Sequence, residues 1–207
     1  MAEYGVGDAW APDQNPNVNS GSDRGHSHAT DKIIRAGDVI QIDFGIKIHN
    51  RWVSDIQRFA YVLAENETEA PEHILAYWEH AKAGNRAAFN AMKPGVKGID
   101  VDRAQRELMK QRNSEYVMWS TGHPVGYVAH DVGPNLGGSQ SSHVRPAAQK
   151  ELELGMTFAF DGFFSWKRED DSFKTISVEE MVVIKEAGAE YLIEPQEELV
   201  LIPSLKD

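Results

Sequence analysis

The stretch from Gly37 to Phe59, GDVIQIDFGIKIHNRWVSDIQRF, most constrains how this chain can fold. Apolar and polar residues alternate from Ile40 to Ile48, which is the period of a strand with one buried face. The run from Trp52 to Leu63 is rich in aromatic and β-branched residues and is predicted to be its partner strand. The sequence therefore predicts a β-hairpin that turns at His49.

This predicted hairpin brings two aspartates together. A turn centred on His49 places Asp43 and Asp55 directly opposite each other and on the same face of the sheet. Two carboxylates about 5 Å apart across a strand pair repel each other, so the pair predicts a bound cation. A divalent metal with oxygen ligands fits best. The alternative is that the hairpin turns elsewhere and that both aspartates are solvated.

Composition limits which kinds of protein and which kinds of metal site are possible for this chain. A chain of 207 residues suits one large domain or a fragment of a two-domain protein. The net charge of −11 argues against a nucleic-acid binder. Because the chain has no cysteine, any metal site must use His, Asp and Glu side chains. With no run of transmembrane length and no secretory signal pattern at the start, a cytoplasmic protein without membrane association is expected.

Helices and further strands are predicted after the hairpin. The spacing of apolar residues predicts a helix from Pro71 to Met92, and Asp100 is the expected N-cap of a second one. Leu154 to Phe164 and Thr175 to Ile184 have the composition of strands. The helices are expected to pack against the sheet.

Histidines mark three candidate segments. GSDRGHSHATD carries His26 and His28, which are either polar loop residues or lie at the edge of the aspartate site. TGHPVGYVAHDVGPNLGG carries His123 and His130 among glycines, whose density suggests a close backbone approach around a site. His143 could line a substrate pocket or could be a surface residue.

The two later strands each carry carboxylates. Asp161 lies near the end of LGMTFAFDGFF, and Glu179 and Glu180 point to opposite faces of TISVEEMVVI. If both faces of that strand are covered, one glutamate points inward and needs a partner.

The ordered series of these residues resembles the pita-bread metallopeptidase family, which includes Xaa-Pro aminopeptidase, prolidase and methionine aminopeptidase. The similar segments are GDVIQIDFG with VSDIQR, TGHPVGYVAHDVG, LELGMTFAFDG, VEEMVVI and GHSHATDKIIRAGD, spread over about residues 17 to 193. The resemblance implies an α+β pita-bread fold, in which helices cover a curved, mainly antiparallel sheet.

The resemblance also implies a hydrolase with two divalent metal ions. Asp43 would bind one ion, Asp55 and Glu179 would bridge both, and His123 and Asp161 would complete the other. Mn²⁺ is the expected metal, with Co²⁺, Zn²⁺ or Fe²⁺ as alternatives. A water shared by two such ions loses a proton near neutral pH and becomes a nucleophile.

For the substrate, the resemblance implies a short Xaa-Pro peptide cleaved after its first residue by a homodimer. His26 and His130 would bind the peptide and stabilise the tetrahedral intermediate, and His143 is a further substrate-binding candidate. Two alternatives stay open: a relative that acts on a non-peptide small molecule, as an amide hydrolase or a lyase, and a non-catalytic binding module.

The sequence departs from the family pattern in several places. Asp161 followed by Gly162 stands where Glu followed by Pro is usual, Ser177 stands where Arg is frequent, and the hairpin is one residue longer. The chain is also short, so residues 1–207 are expected to be a single catalytic domain that lacks the family's leading helices and N-terminal domain.

Overall fold

The fold comes from a computed structural model, which describes residues 4–22, 25 and 27–203. Two α-helices and eleven strands lie within these residues. The helices are α1 (Glu72–Ala91) and α2 (Gly98–Gln111). The strands are β1 (Val6–Asp8), β2 (Asn17–Ser20), β3 (Val39–Phe44), β4 (Ile46–Ile48), β5 (Trp52–Val53), β6 (Ile56–Val62), β7 (Gly122–Pro124), β8 (Thr157–Lys167), β9 (Phe173–Lys185), β10 (Gly188–Tyr191) and β11 (Val200–Ile202).

The strands form three sheets. Their orders are β1-β4-β5, β10-β9-β8-β7 and β11-β6-β3-β2. All pairs are antiparallel except β11 with β6, which is parallel. The long β8–β9 hairpin carries Asp161 and Glu179, and the β3–β6 pair carries Asp43, with Asp55 directly before β6.

The predicted hairpin forms, but its predicted register is wrong. Asp43 pairs with Gln57, and the same register continues at the tip, where Ile48 pairs with Trp52. His49 and Asn50 both have positive φ angles of 52° and 53° and make the turn. The turn is therefore centred one residue later than predicted, because both residues adopt the left-handed conformation. Asp55 lies two residues from the partner of Asp43 and still points to the same face.

Helix α1 covers β8 and β9. Its buried residues are Ile74, Trp78, Ala81, Gly84, Asn85 and Ala88. The contact is closest at Gly162, where a Cβ atom would overlap the Ala81 carbonyl oxygen. Only glycine permits this approach of helix to strand, since any side chain would force the helix outward.

Helix α2 begins earlier than predicted. Its N-cap is Lys97 rather than Asp100, which lies in the first turn and forms an exposed ion pair with Arg103. A carboxylate in the first turn still interacts favourably with the helix dipole. Within the described part of the chain, neither helix is long and apolar enough to cross a membrane.

A polar clamp ties the C-terminal segment to the back of the sheets. Arg58 lies 3.1 Å from the buried Glu180 carboxylate and donates to the Glu194 carbonyl oxygen. The Gln196 backbone N–H donates to Glu180, and the Gln196 side chain bonds both backbone groups of Phe59. Residues 194–196 thus join β6 to β9 on the face opposite the predicted site.

Candidate metal centre

A cavity of about 520 Å³ lies where the β3–β6 pair meets the β7–β8–β9 sheet. Six of the residues predicted from the sequence line it: Asp43, Asp55, His123, His130, Asp161 and Glu179. Residues far apart in the sequence therefore converge on one space.

Four of these six side chains lie in strands, Asp55 lies next to one, and His130 lies in a loop. Asp43 lies in β3, and Asp55 directly precedes β6. Asp161 and Glu179 face each other across the β8–β9 pair, and His123 lies in β7, which pairs with β8. Placement on paired strands holds the site residues more rigidly than loops would.

Potential ligand atoms form two groups, each within 4.8 Å. One contains Asp43, Asp55 and Glu179, and the other contains Asp55, His123 and His130. His123 Nε2 lies 3.6 Å from Asp55 Oδ2 and 3.8 Å from Glu179 Oε1. Asp55 belongs to both groups, so it occupies the centre of the constellation.

The carboxylates impose an electrostatic cost on each other. Burial raises the pKa of Asp55 well above its ordinary value, and the charges of Asp43 and Asp161 raise it further. Burial and the same neighbouring charges, with that of Asp55, also raise the pKa of Glu179. Glu179 Oε2 is buried and has no hydrogen-bond partner among residues 4–22, 25 and 27–203. Such an arrangement is costly unless a cation lies among the oxygens.

The donor set fits divalent metal ions. Four carboxylates would balance the charge of two such ions, and oxygen ligands with imidazole suit Mn²⁺ and related metals. The buried oxygen of Glu179 and the raised pKa values agree with this fit, because a bound cation would stabilise the charged form of each carboxylate.

Comparison with known proteins settles the family. The sequence profile of Metallopeptidase family M24 matches residues 2–186. The chain belongs to metallopeptidase family M24.

Two curated relatives are about twice as long as this chain. The chain is 26% identical over 184 residues to "Probable dipeptidase PepE" of Mycobacterium tuberculosis, covering 88% of this chain and 44% of that protein. It is 27% identical over 176 residues to "Xaa-Pro dipeptidase" of Pyrococcus furiosus, covering 84% and 45%. The chain therefore spans less than half the length of these curated relatives.

Solved structures confirm the α+β pita-bread fold. An X-Pro aminopeptidase from Thermotoga maritima superposes with a TM-score of 0.79 at 25% identity, covering 95% of this chain and 50% of that one. A dipeptidase from Pyrococcus horikoshii gives 0.77 at 27% identity, covering 95% and 49%. A methionine aminopeptidase from Rickettsia prowazekii, at 0.67 and 19% identity over 84% of this chain and 72% of that one, shares the fold.

Two departures from the family pattern can be located in this M24 protein. Asp161 lines the cavity but belongs to neither group of potential ligand atoms, in keeping with a side chain one methylene shorter than Glu. Gly162, in place of proline, is where helix α1 lies directly on the strand. Ser177 is fully buried and donates a hydrogen bond to Gln57 Oε1 at 2.7 Å.

Of the histidines predicted to bind substrate, His130 and His143 lie at different distances from the cavity. His130 is exposed at the cavity, with its ring centroid 4.1 Å from that of His123. His143 is exposed and does not line the cavity; its backbone bonds Ser141 instead. His26 lies outside the described residues.

Sequence reasoning missed several residues of the cavity wall. Gln57, Asn135, Trp10 and Trp119 all line it. The correct hairpin register would have identified Gln57, because it faces Asp43. Trp10 lies in the N-terminal segment, where short strands give almost no periodic signal.

A buried polar network from helix α2 supports the segment before His123. Asp102 accepts hydrogen bonds from Arg106 Nε at 3.2 Å, from the Thr121 hydroxyl, and from the Ser139 backbone N–H at 2.8 Å. Arg106 in turn donates to the Trp119 carbonyl oxygen. The network fixes the loop that forms one wall of the cavity.

Proposed function

We propose that this protein is a dinuclear-metal-dependent hydrolase that removes the N-terminal residue from Xaa-Pro peptides. The observation that carries the proposal is the buried group of Asp43, Asp55 and Glu179, whose oxygens converge within 4.8 Å beside His123. The activity, substrate and metal identity of the whole protein are part of the proposal.

In this proposal Asp43 would hold one ion, Asp55 and Glu179 both ions, and His123 and Asp161 the other. When bound, the two ions would supply an activated water near neutral pH. The shared position of Asp55 in both groups of potential ligand atoms supports its bridging role.

The chain's own residues would bind and orient the peptide. His130 lies exposed beside His123, where its ring can donate a hydrogen bond to the oxygen that gains charge during attack. His26 is proposed for the same task, and His143 for contact with the part of a substrate that extends outside the cavity. The rings of Trp10 and Trp119 give the cavity apolar walls, which suit the ring of a proline residue.

Several finer properties belong to the same proposal. We propose Mn²⁺ as the metal because the donor set is rich in oxygen. We propose that residues 1–207 form one catalytic domain, and that the protein acts as a homodimer in the cytoplasm.

A second candidate function is hydrolysis or lyase chemistry on a non-peptide small molecule. The observations that favour it are Asp161, which stands apart from the potential ligand groups, and Ser177, which bonds Gln57 within the interior. Asp161 lines the cavity, and Ser177 contacts it only through the lining residue Gln57.

The test is a substrate panel with metal-loaded protein. With Mn²⁺ or Co²⁺, Xaa-Pro dipeptides and longer Xaa-Pro peptides should be cleaved, and Asp55→Asn should abolish cleavage. Asp170→Asn is the matched control, because Asp170 is exposed and does not line the cavity. Protein that binds metal but cleaves only small amides would favour the second candidate, and protein that neither binds metal nor turns over any substrate would favour a binding module.

A further inference from the structure

The residue that faces Asp43 across the hairpin is a buried amide, Gln57. Gln57 is 0% exposed, lines the cavity, and places Nε2 3.5 Å from Asp43 Oδ2. Ser177, whose hydroxyl donates to Gln57 Oε1, lies two residues before Glu179 on the same face of β9, and Glu179 lines the same cavity as Gln57. One amide group therefore lies beside two of the carboxylates that converge on the proposed metal centre.

Two hydrogen-bond donors on the side away from the carboxylates fix the orientation of this amide. Gln57 Oε1 accepts a hydrogen bond from Gln41 Nε2 at 2.6 Å and another from the Ser177 hydroxyl at 2.7 Å. With the oxygen engaged by two donors, the NH₂ group must point toward the carboxylates. The reverse orientation would set the amide oxygen against carboxylate oxygens, which repel it.

Gln41 and Ser177 are closed off from solvent. Both are 0% exposed, and a Cβ atom on Gly25 would lie 2.8 Å from Gln41 Oε1. The three side chains thus form a dry, closely packed chain of hydrogen bonds between β3, β6 and β9. Such a chain resists rotation of its last member, since every alternative rotamer would break a buried bond.

We propose that Gln57 is a positioning residue of the metal centre, oriented by Gln41 and Ser177 so that its NH₂ group holds the carboxylates of Asp43 and Glu179 in place. The inference rests on the metal centre of the proposed function. Gln57 would fix the ligand oxygens before an ion binds, which lowers the entropic cost of ordering these oxygens on binding. Groups that orient metal ligands from behind are typically worth about 10–100-fold in metal affinity.

The experiment measures Mn²⁺ affinity by calorimetry, without reference to turnover. Gln57→Met keeps the length of the side chain and removes its donor, and should weaken binding about 10–100-fold. Ser177→Ala should lower the Mn²⁺ affinity too, but by a smaller factor. In the double variant it should add no further loss to that of Gln57→Met, because Ser177 acts only through Gln57. Ser177→Ala also answers the question if Gln57→Met does not fold.

The control is Ser165→Ala, which removes a buried serine hydroxyl from β8 away from the cavity. It should lower stability to urea and leave Mn²⁺ affinity unchanged. Wild-type affinity in Gln57→Met, or fully additive losses in the double variant, would overturn the role of Gln57. Wild-type protein that binds no Mn²⁺ would overturn the metal centre together with this role. Expected losses of affinity without peptide cleavage would support Gln57 and overturn only the proposed substrate.

Discussion

Replacing Asp102 with asparagine tests how strongly the buried network of α2 stabilises the protein. The carboxylate is 2% exposed and its partner Arg106 is 7% exposed, so the pair is almost fully removed from water. Asparagine is not a neutral replacement at this position, because its NH₂ group would face either the Arg106 guanidinium or the Ser139 N–H, and both are donors.

The expected loss follows from two contributions. Removing one partner of a buried ion pair costs about 3–5 kcal/mol, because the remaining charge is buried without compensation. A buried donor left without an acceptor costs about 1–3 kcal/mol, which is included in that range when the two share an atom. Since folded domains are stable by about 5–15 kcal/mol in total, Asp102→Asn should remove about a fifth of the stability or more.

The same helix supplies a matched control. Asp100 and Arg103 form an ion pair with side chains 44% and 51% exposed. Asp100→Asn should therefore cost less than about 1 kcal/mol. Urea denaturation at constant pH, with the slope m compared between variants, measures both losses. If the two variants lose equal stability, burial does not decide the strength of these pairs and the reasoning fails.

Three further predictions concern the metal, the pH and the helix contact. Mn²⁺ at about 100 times its dissociation constant should raise the free energy of unfolding by about 2.7 kcal/mol, and a chelator should reverse the gain; an unchanged urea midpoint would argue against a metal centre. In metal-free protein the folded-state pKa values of Asp55 and Glu179 are raised, so their contribution to stability is present in acid and is lost as the pH rises through those values. Urea midpoints across this range should show the metal-free protein losing stability relative to the metal-loaded one, and parallel profiles would contradict the raised values. Gly162→Ala should destabilise by about 1–3 kcal/mol or more, because its Cβ would overlap the Ala81 carbonyl oxygen. Gly7→Ala, which has open space around the new Cβ, should be close to neutral, and a thermal melt that ranks the two the other way would refute the contact.

The strands of the site can be predicted from the sequence because their signal is local. Alternation in β3 and the apolar runs of β8 and β9 follow directly from which faces are buried. Alternation also predicts Glu179 and Glu180 on opposite faces, and they do point to the cavity and to Arg58 respectively. The family resemblance then orders the site residues, which no local pattern could do.

The register and the supporting residues could not be predicted in the same way. The turn is centred at Asn50 because His49 and Asn50 both adopt positive φ angles. In a sequence, glycine indicates a positive φ angle more clearly than either of these residues does. The role of Gln57 depends on that register, and the network of Asp102 depends on contacts between segments far apart in the chain. Such partners can be identified only once the packing of the helices and strands is known.

The clamp made by Arg58, Glu180 and Gln196 has a consequence for synthesis of the chain. Arg58 leaves the ribosome well before Glu180, and Gln196 follows both. Until residues 194–196 arrive, Glu180 and Arg58 lack the backbone groups that complete their hydrogen bonds. The nascent chain can therefore complete this clamp between β6 and β9 only after residue 196 has emerged.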